Sequence, residues 1–514
     1  MSRRASAVLV AACLAALATP AFAAPPPARA SRPALSPDGR MAPSVYDVSG
    51  LFDANEIRSS VTNFGILARD PGGGPGFEWP QGSGQKVVYS AGLWLAAYIF
   101  GSPRAAIADF GSEFLPGQTT FDGEPADPGA QIKVYRVWKI TQDDLVTPSL
   151  DYLNWPSAQG APLDTADKPL LLGDQTLFTV FNDAANGNHT QINGSTLPLQ
   201  VEVTQTLWGY NRPYEMSRVM LVKYHVHNRS RFRWPEFYVG LWADPDIGDP
   251  NDDLSGCDSS LNLGYVYDSF SEFKHEALPA VGVMVLADSI IGIASPGLSA
   301  FAGFPLSEDP GSYWETLAYL RGTQRDETPW LCPGVTRFPF SGDPAAGTGC
   351  LDSDPGDRRI VVSAGPFDMI SNSSLDVIVA YLVGFDPAAR TPADNVTALR
   401  RLARRVRDSW RADFADIPPL PAKVTIHSAF PNPTTGAASV DVEVPGGASL
   451  QGFDVLDVKG RRVWTAPRLE TRSGFARLSW DGRTVGGVPA PPGVYLFRVI
   501  SDSGLLYART VLLR

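Results

Sequence analysis

The sequence predicts a mainly β fold: a large antiparallel β-sandwich region, one amphipathic helix and a smaller β-sandwich at the C-terminal end. Three observations carry that reading. The 514 residues include 48 glycines and 45 prolines, a density of turn formers that favours short strands over long helices. The apolar runs between them are short and rich in β-branched and aromatic side chains. Only one stretch keeps a helical period.

The N-terminal residues read as an export signal. Arg3 and Arg4 precede an apolar run from 7 to 18, and Ala21-Phe22-Ala23 supplies the small residues of a cleavage point. The run is shorter than the roughly 20 residues of a membrane-spanning helix, so 1–23 is expected to be a cleaved signal peptide and not an anchor. Cys13 lies inside the apolar core and not at its exit, which argues against a lipoprotein. Residues 24–44, rich in Pro, Ala, Ser and Arg, have little to bury and are expected to be a disordered leader. The signal carries two arginines and no acid, so its removal takes the formal charge from −11 to −13. Such a surface repels nucleic acid and anionic membranes. No later segment is apolar for long enough to span a bilayer as a helix.

Residues 45–390 form the larger β-region, as one large sandwich or two smaller ones. Its strands are expected within 86–100, 132–140, 176–181, 199–207, 218–228, 237–242, 280–287 and 376–385. From Val201 to Leu207 apolar and polar residues mostly alternate, the pattern of a half-buried strand. Trp79, Trp94, Trp138, Trp155, Trp208, Trp234 and Trp242 all fall in this region and read mostly as core.

A helix is expected over 391–415. Thr391 can cap it, Pro392 suits its first position and Asp394 places an acid in its first turn. Val396, Leu399, Ala403, Val406 and Trp410 make one apolar stripe to pack on the β-region. Arg400, Arg401, Arg404, Arg405, Arg407 and Arg411 lie mostly off it and read as a solvated face. Residues 416–422, with Pro418-Pro419 and Pro421, are a stiff linker.

After the linker, 423–514 holds seven evenly spaced strand candidates: 424–427, 439–444, 452–458, 461–464, 475–480, 493–500 and 506–513. That number and spacing suit an immunoglobulin-like sandwich. Val440, Val442 and Val444 point one way and Asp441 and Glu443 the other, giving one dry and one wet face. The motifs run in order: Phe430-Pro431-Asn432-Pro433, Val455-Leu456-Asp457-Val458-Lys459-Gly460-Arg461-Arg462-Val463, Leu478-Ser479-Trp480-Asp481-Gly482-Arg483 and Pro492-Gly493-Val494-Tyr495. This series resembles the immunoglobulin-like domain of flagellar-hook-cap type, and is similar also to the C-terminal sorting domain of type IX secretion substrates. The second resemblance implies recognition by outer-membrane secretion machinery or attachment to the cell surface; the first implies an accessory module. Trp480-Asp481-Gly482-Arg483 followed by Gly486-Gly487 leans toward the hook-cap type. In front of the tail, Asn63-Phe64-Gly65, Trp79-Pro80, Gly92-Leu93-Trp94 and Ser363-Ala364-Gly365-Pro366-Phe367 resemble uncharacterised secreted proteins, a resemblance that implies no activity.

Candidate chemistry concentrates in an acidic stretch. Asp244, Asp246, Asp249, Asp252, Asp253 and Asp258 crowd a Gly/Pro-bent segment, and clustered carboxylates can supply the six to eight oxygens that calcium takes. It is not an EF-hand, since Gly248 and Asp249 stand at the fifth and sixth positions and Ser255 where the bidentate Glu belongs. The plain alternative is a solvated acidic loop. Asp352, Asp354 and Asp357 repeat the theme more weakly.

Cys332 and Cys350 close a short Pro/Gly-rich loop and are the preferred disulfide, worth about 3 kcal/mol; Cys257 is left over. His225 and His227 share a strand face with Lys223, which would oppose a metal. His275-Glu276 lacks the second histidine of a zinc-protease helix. Gly72-Gly73-Gly74-Pro75-Gly76 and Gly82-Ser83-Gly84-Gln85-Lys86 read as turns, because a strand and not a helix follows them.

These readings point to a non-enzymatic secreted or cell-surface structural or binding protein, held by structural calcium, with a tail for type IX export or surface attachment. The alternative is a secreted carbohydrate-active enzyme or glycan binder using the acids and tryptophans of the front region.

Overall fold

The computed structural model describes residues 49–126, 134–190, 196–212, 215–269, 278–286, 297–467, 469 and 474–513. The expected signal and leader (1–44) and His275-Glu276 lie outside the described residues.

Up to Gly384 two antiparallel sheets face each other. One has ten strands, running Ala300–Pro305, Arg358–Met369, Trp234–Asp244, Ser90–Ile99, Ile66–Leu67, Arg58–Thr62, Phe77–Glu78 and Lys86–Val88, with Ser49–Phe52 and Ser102–Ile107 beside this path. The other has nine, running Asp253–Asp258, Leu263–Asp268, Ala280–Val285, Ser374–Gly384, Val219–Asn228, Val201–Gly209, Gln175–Asn182 and Leu115–Pro116, with Trp138–Thr141 also pairing. The two-residue period of a strand divides the side chains between layers. Leu93, Leu95, Val239, Leu241 and Val362 of the first sheet meet Met220, Val222, Val377, Val379 and Val383 of the second in the inter-sheet core.

Both outer faces are also covered. On the ten-stranded sheet, Trp94, Tyr238, Trp242 and Val361 pack under Leu317 and Leu320 of the helix Tyr313–Arg321. On the nine-stranded sheet, Leu221, Leu263, Ala380 and Leu382 pack under Val396, Leu399, Ala403 and Val406 of the helix Pro392–Arg411. That second helix begins as expected, with the Thr391 side chain accepting the amide of Asp394 at 3.2 Å. Arg401, Arg404 and Arg411 are exposed, as expected of a solvated face, whereas Arg400 donates to the Gly342 carbonyl at 2.8 Å and lies beside Asp258 and Asp343, and Arg405 pairs with Asp416 at 2.5 Å. The helix Tyr313–Arg321 is an addition to the sequence reading, capped by Ser312 and closed by Gly322 in the left-handed region at φ +85°.

Covering layers also correct the expected half-buried strand. Val201–Gly209 is buried at all but one position. Its polar side chains are enclosed by neighbouring segments: Glu202 accepts the Thr119 amide at 2.6 Å and pairs with Arg229 at 3.0 Å. The seven tryptophans named above are buried except Trp138, which is half-buried.

The tail is two facing sheets, of three strands (Thr425–Ile426, Ala438–Val444, Gly474–Trp480) and four (Arg462–Thr465, Leu450–Asp457, Gly493–Ser501, Gly504–Leu512). Its separate core holds Val440, Val442, Phe453, Val455, Trp480, Phe497 and Val499. The tail leans on the front region. Gly447 donates to Asp143 Oδ1 at 2.7 Å, a Cβ on Gly474 would meet Asn211 at 2.6 Å, and Arg212 holds the linker by donating to the Pro418 carbonyl at 2.9 Å. Among the described residues no helix is long and apolar enough to cross a membrane.

Candidate metal centre

The acidic stretch begins where the central strand Trp234–Asp244 leaves the ten-stranded sheet. Asp244 faces the outer layer, as Trp242 two residues before it does. The chain is then tied down: Tyr89 donates its amide to the Asp244 carbonyl at 2.8 Å, and the Asp246 amide donates to the Val87 carbonyl at 3.2 Å. The neighbouring strand Arg358–Met369 is immediately preceded by Asp357. Asp244, Asp246 and Asp357 therefore converge, with one ligand oxygen from each within 4.8 Å of the others, and these three could hold a metal ion.

Arg359 is the counter-charge. Its Nε stands 3.5 Å from Asp244 Oδ1 and 3.5 Å from Asp309 Oδ1, and its Nη1 lies 2.5 Å from Asp357 Oδ1. One guanidinium among four carboxylates leaves negative charge over. Asp244 is 3% exposed, and its Oδ1 receives no hydrogen bond from the described residues. Burial holds its carboxyl well above the usual range, with Arg359 pulling it down and Asp246, Asp357 and Asp309 pushing it up. Burial, with Asp357 adding to it, pushes Asp246 up to about 7 against the opposing pull of Arg359. Carboxylates in such surroundings gain from a cation that neutralises them.

Asp249, Asp252, Asp253 and Asp258, also expected as ligands, lie outside this group. Asp249 is exposed and caps a single turn by accepting the Asn251 amide at 3.0 Å. Asp258 accepts from Ser260 and lies 3.5 Å from Arg400, on the far side of its strand pair. Asp253 is fully buried and sits opposite Asp268 in the register of two paired strands. Asp352 accepts from the backbone and hydroxyl of Ser255 and pairs with Arg358 at 3.0 Å, and Asp354 is exposed. Asp357 thus joins the centre because its strand pairs with Trp234–Asp244.

The remaining candidates have structural partners. Cys332 and Cys350 form a disulfide with their Cα atoms 5.5 Å apart. Cys257 is a free buried thiol that donates to the Pro339 carbonyl at 3.2 Å, and burial pushes its pKa upward. His225 Nδ1 and Lys223 Nζ flank Asp376, at 2.6 Å and 2.7 Å from its two oxygens, while His227 meets Asn372 at 3.1 Å. The second glycine cluster holds an anion of its own: Gly82 and Gly84 donate to Glu78 Oε1 at 2.7 and 2.9 Å, and Lys86 meets Oε2 at 3.0 Å.

No family model matches the chain, and no curated protein matches it. Among solved structures, it is similar at 9% identity to a polysaccharide lyase, covering 61% of this chain and 34% of that one, with a TM-score of 0.16. It is also similar at 9% identity to PorZ, an essential bacterial surface component of the type IX secretion system of Porphyromonas gingivalis, covering 91% of this chain and 75% of that one, with a TM-score of 0.15. This chain therefore spans about a third of the lyase's length. At these scores neither likeness carries an argument. What fold and site define together is a mainly β, layered protein with an acidic centre that could take a metal ion.

Proposed function

We propose that this is an exported, non-enzymatic cell-surface or extracellular protein, with a β-rich front region steadied by calcium and an immunoglobulin-like tail serving type IX export or surface attachment. The observation that supports the calcium in this reading is the position of the acids. Asp244, Asp246 and Asp357 stand where Trp234–Asp244 ends and the adjacent strand Arg358–Met369 of the ten-stranded sheet begins, beside a loop anchored on the backbone of Val87. A cation there would tie strand ends together, which is a stabilising role. Trp94, Trp234 and Trp242 are fully buried in the layers and do not line a surface that a sugar could reach.

Two experiments test it. The purified chain is melted with calcium and with chelator; calcium is expected to raise the midpoint of the wild type by more than that of Asp357→Asn. An unchanged wild-type midpoint removes calcium from the reading. Deleting 423–514 in a host with a type IX system is expected to strand the protein in the periplasm, and normal release would reject the export role of the tail.

Glycan binding has one observation in its favour. Trp314, 44% exposed, has Tyr313 at 5.3 Å and Tyr98 at 6.4 Å between ring centroids, and Arg321 lies over Tyr98. Sugars stack on such surfaces. A glycan array in which Trp314→Ala abolishes a wild-type signal would support this second reading.

A further inference from the structure

We propose a second site for a hard divalent cation, held by Asp253 and Asp268 and separate from the Asp244–Asp246–Asp357 centre. The two residues are direct cross-strand partners in the hairpin formed by Asp253–Asp258 and Leu263–Asp268. Alternation along these strands sets Asp253 on the side of Cys257 and Asp268 on the side of Val266, and both of those residues belong to the inter-sheet core. The facing carboxyl groups therefore point inward at the end of the sandwich, with Asp253 0% and Asp268 2% exposed. Like charges directly opposite on a sheet destabilise it, and burial makes each charge costlier. A cation placed between the two would be met by a carboxylate from each strand.

The surroundings favour the cation. Asp253 Oδ2 accepts the Ile247 amide at 3.1 Å, while Oδ1, in a side chain wholly removed from solvent, receives no hydrogen bond from the described residues. An oxygen left in that state suits a ligand that binds carboxylates. The acidic loop folds over the pair: Ile247 is buried in the inter-sheet core, and at Gly248, φ +76°, a Cβ would lie 4.0 Å from Asp268 Oδ2. Loop backbone thus passes close enough to contribute carbonyl oxygens, which calcium accepts along with carboxylates. The site rests on its own residues and does not require the calcium centre proposed above.

The test counts ions. Full-length mature protein, stripped with chelator and titrated with calcium under native mass spectrometry and calorimetry, is expected to take up two ions. Asp253→Asn and Asp357→Asn are each expected to keep one, and the double variant none. Two ions retained in Asp253→Asn, or no ion lost by that variant relative to wild type, would overturn the second site while leaving the first intact. One wild-type ion lost in Asp253→Asn and kept in Asp357→Asn would support this site and reject the other. Should the variants fail to fold, hydrogen exchange of the wild type decides: calcium is expected to slow exchange at least tenfold at the Ile247 amide and through 263–268. Protection confined to 357–359 would overturn the proposal.

Discussion

The front region and the tail are both antiparallel two-sheet sandwiches, yet their strands carry different burial patterns. In the tail, Ala438–Val444 alternates strictly between buried and half-buried positions, and Gly493–Ser501 does the same after its first residue. In the front region, Gln175–Asn182 is buried at every position and Ser90–Ile99 at all but one. The cause is coverage. A tail sheet has one face on a core and one toward water, whereas each front sheet lies between the inter-sheet core and a helix or loop layer. Alternation is a signature of a half-covered sheet. It vanishes when the second face is closed.

The sharpest way to break this comparison is to empty each core separately. Trp242→Ala removes a fully buried ring from the outer layer of the front region, where it packs with Trp94 and Phe110; it is expected to cost about 3–5 kcal/mol. Trp480→Ala removes the corresponding anchor of the tail, beside Tyr495 and Phe497. Calorimetry should show Trp480→Ala lowering a tail transition and leaving the front one within a few degrees. A single transition lowered by both would mean that the seam at Asp143, Asn211 and Arg212 fuses the two cores.

Coverage itself is tested by adding a methyl group. At Gly384 a Cβ would meet the Leu399 Cβ at 2.4 Å, because the long helix sits directly on this strand. Gly384→Ala is expected to cost about 1–3 kcal/mol through overpacking. At Gly493, in a tail strand, a Cβ meets nothing within 4 Å. Gly493→Ala should stay within about 0.5 kcal/mol of wild type. Equal effects in chemical denaturation would refute the contrast between closed and open faces.

The same contrast explains what could be read before the fold was known. Every tail strand lay within a few residues of its expected place, since period, turn glycines and prolines all act locally there. The long helix was legible from Thr391, Pro392 and its apolar stripe. Strands such as Arg358–Met369 carry no alternation, and the helix Tyr313–Arg321 is too short for its stripe to stand out. Asp244 and Asp246 were visible as an acidic run. Asp357 could not be tied to them, because strand pairing between distant segments supplies the third carboxylate and the opposing Arg359. The burial of Asp253 was equally hidden, since an acid among acids looks solvated until a loop closes over it.

The smallest effect compares an enclosed carboxylate with one whose arginine partner lies half in solvent. Glu78 in the front region accepts from Gly82 and Gly84 and meets Lys86 and Arg58. Burial raises its pKa, but the Gly84 amide, Lys86 and the Gly82 amide outweigh that and hold the carboxyl below its usual range. A depressed folded pKa means that the unfolded chain binds the proton more readily. The stability that Glu78 contributes is thus complete above the ordinary glutamate pKa of about 4.3 and is lost as pH falls through the lower folded value. Glu78→Gln should melt below wild type at pH 7, and the gap should close below about pH 4. In the tail, Asp441 faces Arg477 across two strands at 2.8 Å, with the arginine half in solvent. Pairs open to solvent on one side contribute about 0–1 kcal/mol and are screened by salt. Asp441→Asn should therefore shift the midpoint little, and less still at high salt, while the Glu78→Gln gap at neutral pH should survive added salt. If salt erased both gaps alike, the Gly82–Gly84 loop would be as open to water as the tail surface.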